Sequence, residues 1–166
     1  MIYVTVGTDH HSFDRLLREV YKACAENELT GELVVQHGYS SPLDGVECYK
    51  VVPFKQQLDF IKESRIVITH ASSTAMLAVS FGKIPVIVAR RAIYKEAVDD
   101  HQVEFLEEVG EVLPFIILDD VKEVGNVLSR YAALAEQVKT RSLEQTGESK
   151  GAVSILDDVV ESWFGH

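Results

Sequence analysis

The residues able to do chemistry in this chain gather in short polar segments rather than in one motif. They are Gly7-Thr8-Asp9-His10-His11-Ser12, His37-Gly38-Tyr39-Ser40-Ser41, Pro53-Phe54-Lys55 and His70-Ala71-Ser72-Ser73-Thr74, with Arg90-Arg91 leading on to Asp99-Asp100-His101-Gln102. Glycine, serine and threonine at the start of a helix leave backbone N–H groups free and add hydroxyl donors. That combination suits a phosphate or pyrophosphate. The small residues Ala71-Ser72-Ser73-Thr74 let an anion come close to the backbone, although Ser72 or Ser73 as an ordinary helix cap explains the same letters. His70 reads as a cleft residue or as a satisfied core histidine, and His10 and His11 as exposed loop residues. Asp9, His10, His11 and His101 carry metal-ligand chemistry without any known zinc spacing, so no metal is expected. Asp9 and Asp99-Asp100 fit an acid/base pair no better than they fit solvated loop carboxylates. Neither a G-x-S-x-G elbow nor a G-x-G-x-x-G fingerprint occurs, which removes the serine-hydrolase and nicotinamide readings, and no cofactor is implied.

Each segment follows a run that reads as a strand. Ile2–Val6, Glu32–Gln36, Gly45–Val52, Arg65–Thr69, Pro85–Ala89 and Phe115–Leu118 are rich in β-branched residues. Between them the spacing predicts helices: one capped by Ser12 with Phe13, Leu16, Leu17, Val20, Tyr21 and Cys24 on its apolar face, then Phe54–Glu63 with Phe54, Leu58 and Ile61 inward. Ser73–Phe81 closed by Gly82, Ala97–Val109 and Val121–Gln137 follow. Lys139–Gly151 reads as a polar loop, and Val153–Phe164 as a final amphipathic helix whose apolar stripe packs on the domain's own sheet or docks, through Trp163 and Phe164, on a partner. Strand–helix alternation predicts an α/β fold with a Rossmann-like parallel sheet and helices on both faces. Solidly apolar strands such as Ile66-Val67-Ile68 fit a sheet covered twice. In such a sheet ligands bind beyond the carboxyl ends of the strands, where all the polar segments fall.

With 166 residues the chain is expected to be a single domain over 1–166, its segment 152–166 serving as the partner-docking helix. The net charge of −10 disfavours a general nucleic-acid role. Met-Ile-Tyr-Val-Thr-Val-Gly has no signal-peptide pattern, no run is long enough to span a membrane, and Cys24 and Cys48 read as reduced. The expected location is the cytoplasm.

Taken in order, Val4-Thr5-Val6-Gly7-Thr8 with Phe13-Asp14-Arg15-Leu16, Gln36-His37-Gly38-Tyr39-Ser40, Ile68-Thr69-His70-Ala71, Gly82-Lys83-Ile84-Pro85-Val86-Ile87-Val88 and Asp100-His101-Gln102-Val103-Glu104-Phe105 form a series. Over roughly residues 1–120 that series resembles the C-terminal donor-binding domain of family 28 glycosyltransferases. It is most similar to the stand-alone small subunit of two-component enzymes that transfer N-acetylglucosamine from UDP to dolichol-linked sugars, with bacterial relatives in exopolysaccharide and capsule synthesis. The resemblance implies the C-terminal half of a GT-B fold and a metal-free, usually inverting hexosyltransferase. Its donor would be a UDP-sugar and its acceptor a lipid-linked sugar. A membrane-anchored partner subunit would complete the active site and recruit the chain to the cytoplasmic face of the membrane. It further implies that Gly7 and Thr8 with Ser72, Ser73 and Thr74 meet the pyrophosphate of the donor, that Gly38 belongs to the same substrate site, that Phe54 and Lys55 flank the uracil, that His70 lines the cleft, and that His101 and Gln102 face sugar and ribose hydroxyls. Many members carry a ribose-binding Glu in the helix after His-Ala, where this chain reads Ala75-Met76-Leu77-Ala78-Val79-Ser80. No general base is identified. The other reading of the same domain is a non-catalytic subunit that enhances or stabilises a partner transferase.

Overall fold

A computed structural model describes residues 1–146 of the chain. The expected helix over 153–164, with Trp163 and Phe164, lies outside the described residues. The elements in chain order are β1 (Ile2–Thr5), α1 (Asp14–Glu26), β2 (Leu33–Gln36), β3 (Glu47–Tyr49), α2 (Phe54–Glu63), β4 (Ile66–Thr69), α3 (Ser73–Ser80), β5 (Val86–Val88), α4 (His101–Val109), β6 (Ile116–Leu118) and α5 (Val124–Thr146), with single 3₁₀ turns at Thr30–Glu32, Ala92–Tyr94 and Val121–Glu123. The six strands form one all-parallel sheet in the order β3-β2-β1-β4-β5-β6.

The strand alternation divides the core. Ile2, Val4, Leu33, Val35, Ile66, Ile68, Val86, Val88, Ile116 and Leu118 face one side, where α1 adds Leu16, Leu17 and Val20 and α5 adds Val124, Val127 and Leu128. Tyr3, Val34 and Val67 face the other side with Ile61 of α2 and Ala78 of α3. Ile87 faces that side with Met76, Phe105 and Leu106. Both faces are covered, as the apolar strands require.

Several boundaries differ from the sequence expectation, each for a physical reason. The third strand shrinks to Glu47–Tyr49 because among the described residues it is an edge strand paired only with β2. Ser12 does not cap α1, which begins at Asp14; the hydroxyl of Ser40, from the loop after β2, accepts the Phe13 N–H at 2.6 Å instead. Phe54 is 67% exposed, so Ile61 alone of the predicted apolar face of α2 is buried. The helix expected from Ala97 starts at His101, because residues 95–100 form turns tied back to the β5 loop. Residues 139–146, expected in a loop, continue α5. Their polar side chains hold the end of α4: Arg141 Nη2 donates to Gly110 O at 2.9 Å and Ser142 Oγ to Val112 O at 3.0 Å. Among the described residues no helix is long and apolar enough to cross a membrane.

Candidate functional site

The strand order reverses direction between β1 and β4, so the connections from these two strands leave on opposite faces and open a crevice at their carboxyl ends. The loops after β1, β2 and β4 meet there with almost no side-chain bulk. Gly7 adopts φ +73°, and a Cβ on it would lie 2.9 Å from His70 Nε2. Gly38 adopts φ +56°, and a Cβ there would collide with the Gly7 carbonyl oxygen. Two positions are therefore restricted to glycine by conformation and by space together. Thr8, next to Gly7, is exposed.

His70 sits under this crossing. Its ring is mostly buried with Nδ1 shut off from solvent. Burial, reinforced by the nearby Arg90 guanidinium, pushes its pKa down to about 4; the Ala71 backbone and the Gln102 carboxamide pull weakly the other way. The ring is neutral at pH 7, so it shapes the crevice without lending it charge.

α3 opens directly beyond His70. Ser72 is extended and turns its hydroxyl back to the His70 carbonyl at 3.3 Å, so among the described residues no side chain caps α3. The capping role that sequence spacing allowed to Ser72 is not what it does. Uncapped N–H groups and an exposed Ser73 face a cleft of about 210 Å³ lined by Ala71, Ser72, Ser73, Met76, His101, Gln102 and Phe105. Thr74 Oγ1 accepts from Gln57 Nε2 at 3.2 Å, which links α3 to α2. Phe54 and Lys55 stand exposed on the first turn of α2 and do not line the cleft.

Gln102 corrects an expectation. Its position at a helix start suggests a polar side chain free of the core, yet it is buried and its Oε1 accepts the Arg90 N–H at 3.1 Å. His101 is exposed, its Nδ1 paired with Asp99 Oδ1, and that bond holds the Asp99 carboxyl below its usual range.

Sequence reasoning missed the residue that ties the loop after β1 to the segment after β5. Arg90, noted only as half of a basic pair, is fully buried. Its Nη1 donates to His11 O at 2.8 Å and Glu96 O at 2.9 Å, its Nη2 donates to Val6 O, and it stacks on Phe13 at 4.9 Å. Burial lowers its pKa, while Asp9 and Glu96 raise it. Glu96, also buried, makes a two-point ion pair with Arg15 at 2.9 and 2.8 Å and accepts from Arg91 N at 3.2 Å. The only sequence signal was position: a charged pair at the carboxyl end of an apolar strand.

Asp9, His10 and His11 lie within ligand reach of one another, apart from the cleft. Asp9 Oδ1 already accepts from both the backbone and the ring of His11, which accounts for the arrangement without a metal.

The family model for the glycosyltransferase family 28 C-terminal domain matches residues 1–155. Among solved structures the chain is similar to the crystal structure of CalG4, the calicheamicin glycosyltransferase. The TM-score is 0.56 and the identity 20%, over 99% of this chain and 42% of that chain. The chain thus spans less than half the length of that relative. No curated protein matches it.

Proposed function

The chain belongs to the glycosyltransferase family 28 C-terminal domain family, and from that premise we propose that it is the donor-binding, catalytic subunit of a two-component hexosyltransferase. The observation that carries the reading is the uncapped start of α3 at the switch-point crevice, with the Ser72 hydroxyl turned away. A nucleoside diphosphate fits there, its charge met by free N–H groups and the helix dipole. Gly7, Thr8 and Gly38 keep the β1 and β2 loops low enough for the diphosphate to lie across them. The exposed Phe54 ring and Lys55 flank the base, which favours uracil in this reading. His70 supports the crevice, and His101 and Gln102 meet the sugar.

The donor is a UDP-sugar held without a metal, and transfer inverts the anomeric carbon. A membrane-anchored partner supplies the remaining body of the GT-B enzyme, binds a lipid-linked sugar acceptor and recruits this chain to the cytoplasmic face of a membrane. The pathway class is polysaccharide or glycan synthesis.

Calorimetric titration of the full chain with UDP and UDP-N-acetylglucosamine, with and without a chelator, tests this. The expected result is UDP binding that the chelator leaves unchanged. A strict magnesium requirement overturns the metal-free site. Absence of UDP binding in both the chain and its partner complex overturns the donor role and favours a non-catalytic enhancer, the role suggested by the missing acid in α3.

A further inference from the structure

Asp-x-His occurs twice, as Asp9-His10-His11 and Asp99-Asp100-His101, and both copies fold into the same device. In each, one carboxylate oxygen accepts from the backbone N–H of the histidine two residues on, at 2.8 Å to His11 and 3.2 Å to His101. The same oxygen is paired with Nδ1 of that histidine's ring. An ionised carboxylate can only accept, so Nδ1 carries the proton and Nε2 of the neutral ring carries the lone pair, on the far side from the aspartate.

Their surroundings separate the two. His11 has its carbonyl clamped by Arg90 and its ring packed on His10 at 4.0 Å, and it does not line the cleft. His101 is the first residue of α4 and lines the cleft onto which the free end of α3 opens. Its side chain is 61% exposed, so a hydroxyl brought to the cleft can reach it.

We propose that His101, oriented by Asp99, is the general base of the transfer, so that this chain carries a catalytic residue of its own and does not borrow one from its partner. The inference rests on the donor-binding reading above. The acceptor O–H proton passes to His101 Nε2 while the acceptor oxygen forms its bond to the anomeric carbon. The bond from that carbon to the β-phosphate oxygen breaks, and its electron pair leaves with UDP, whose new charge lies at the α3 start. Asp99 stabilises the imidazolium, which returns its proton to solvent. The charged neighbours of His101 on its own segment are Asp99, Asp100 and, one turn along, Glu104. Across the cleft, Ser72 and Ser73 carry no charge, and His70, next to this lining in the chain, stays neutral above about pH 4.

The test measures UDP release from UDP-N-acetylglucosamine by the full chain with water as acceptor, beside calorimetric UDP affinity. His101→Gln is expected to slow release by about 100-fold or more with UDP affinity unchanged. It also flattens the acid side of the pH–rate profile. Asp99→Asn lowers the rate by a smaller factor, and added imidazole restores part of the rate of His101→Gly. Parent-like release by His101→Gln overturns the proposal. So does a loss that falls on His11→Gln instead, a His101→Gln variant that loses UDP binding in step with rate, or a parent that binds UDP and releases none. A parent that fails to bind UDP both alone and in its partner complex removes the donor reading itself, which the calorimetry reports separately.

Discussion

His70 meets neutral pH uncharged because burial and the Arg90 guanidinium both oppose its proton. In the unfolded chain the same ring takes up its proton at the ordinary value of 6.5, whereas the folded chain refuses it until about pH 4. The folded pKa is depressed, so the stability is present above pH 6.5 and drains away as pH falls from 6.5 towards 4. The loss approaches about 3 kcal/mol at the acid end. His70→Asn should flatten that part of the stability curve. The measurement is urea unfolding of parent and variant at pH 7 and pH 4.5; equal acid losses in both would mean the ring is hydrated in the folded state. Residue identity made part of this visible in the sequence. A histidine ending a buried strand reads as cleft or core, and burial with a neutral ring contains something of both. Arg90 was not visible, because Arg90-Arg91 looks like a solvated pair and nothing local says that the first turns inward. Nor was the clash that excludes any side chain from Gly38, since its partner, the Gly7 carbonyl, lies on a different loop.

The elements were legible wherever a local period sets them. α2 falls at Phe54–Glu63 as its spacing predicts, and strands β4 and β6 differ from expectation by one residue each. Boundaries fail where a distant group does the work of a local one. The Phe13 N–H at the start of α1 is satisfied by Ser40 Oγ, 27 residues away, while Asp14 Oδ1 accepts from Ser41 N at 2.8 Å. The two loops therefore cap each other, and no window around Ser12 contains that information. Ser40 is buried, so its loss leaves the N–H without a ready substitute. Ser40→Ala should cost about 1–2 kcal/mol and loosen the β1 and β2 loops together, read as a lower urea midpoint and faster amide exchange at Phe13. A destabilisation below about 0.3 kcal/mol would show that water replaces the hydroxyl. The polar stretch after Lys139 failed for the same reason: Arg141 and Ser142 look like loop residues until the carbonyls of Gly110 and Val112 are in place beside them.

At the scale of the whole molecule, the α/β class followed from alternation alone, but the strand order and the crevice at its reversal needed the fold. One guanidinium ties the β1 side of that crevice to the segment after β5. Arg90 binds Val6 and His11 on one side and Glu96 on the other, and Glu96 in turn holds Arg15. Arg90→Met keeps length and apolar stem but strands three carbonyls, and should cost about 3–5 kcal/mol. The faster amide exchange it causes should extend to both residues 6–12 and residues 91–100. Arg90→Lys should recover only part, because a single ammonium cannot reproduce the planar fork. Exchange confined to one loop would show that the two sides are held independently. The sequence distance across this clamp has a consequence for how the molecule is made. Val6 and Arg90 are 84 positions apart, Arg15 and Glu96 are 81 apart, and β1 gains its second neighbour only when Ile2 pairs with Ile66. Contacts of such span close late, since loop entropy must be overcome before they form. The first half of the chain leaves the ribosome with its glycine loops joined only by the Phe13–Ser40 and Asp14–Ser41 bonds and the β1–β2 pairing, without the clamp from the β5 side. The crevice is thus a product of the finished chain, among the last features to lock in folding and among the first to open under mild denaturant.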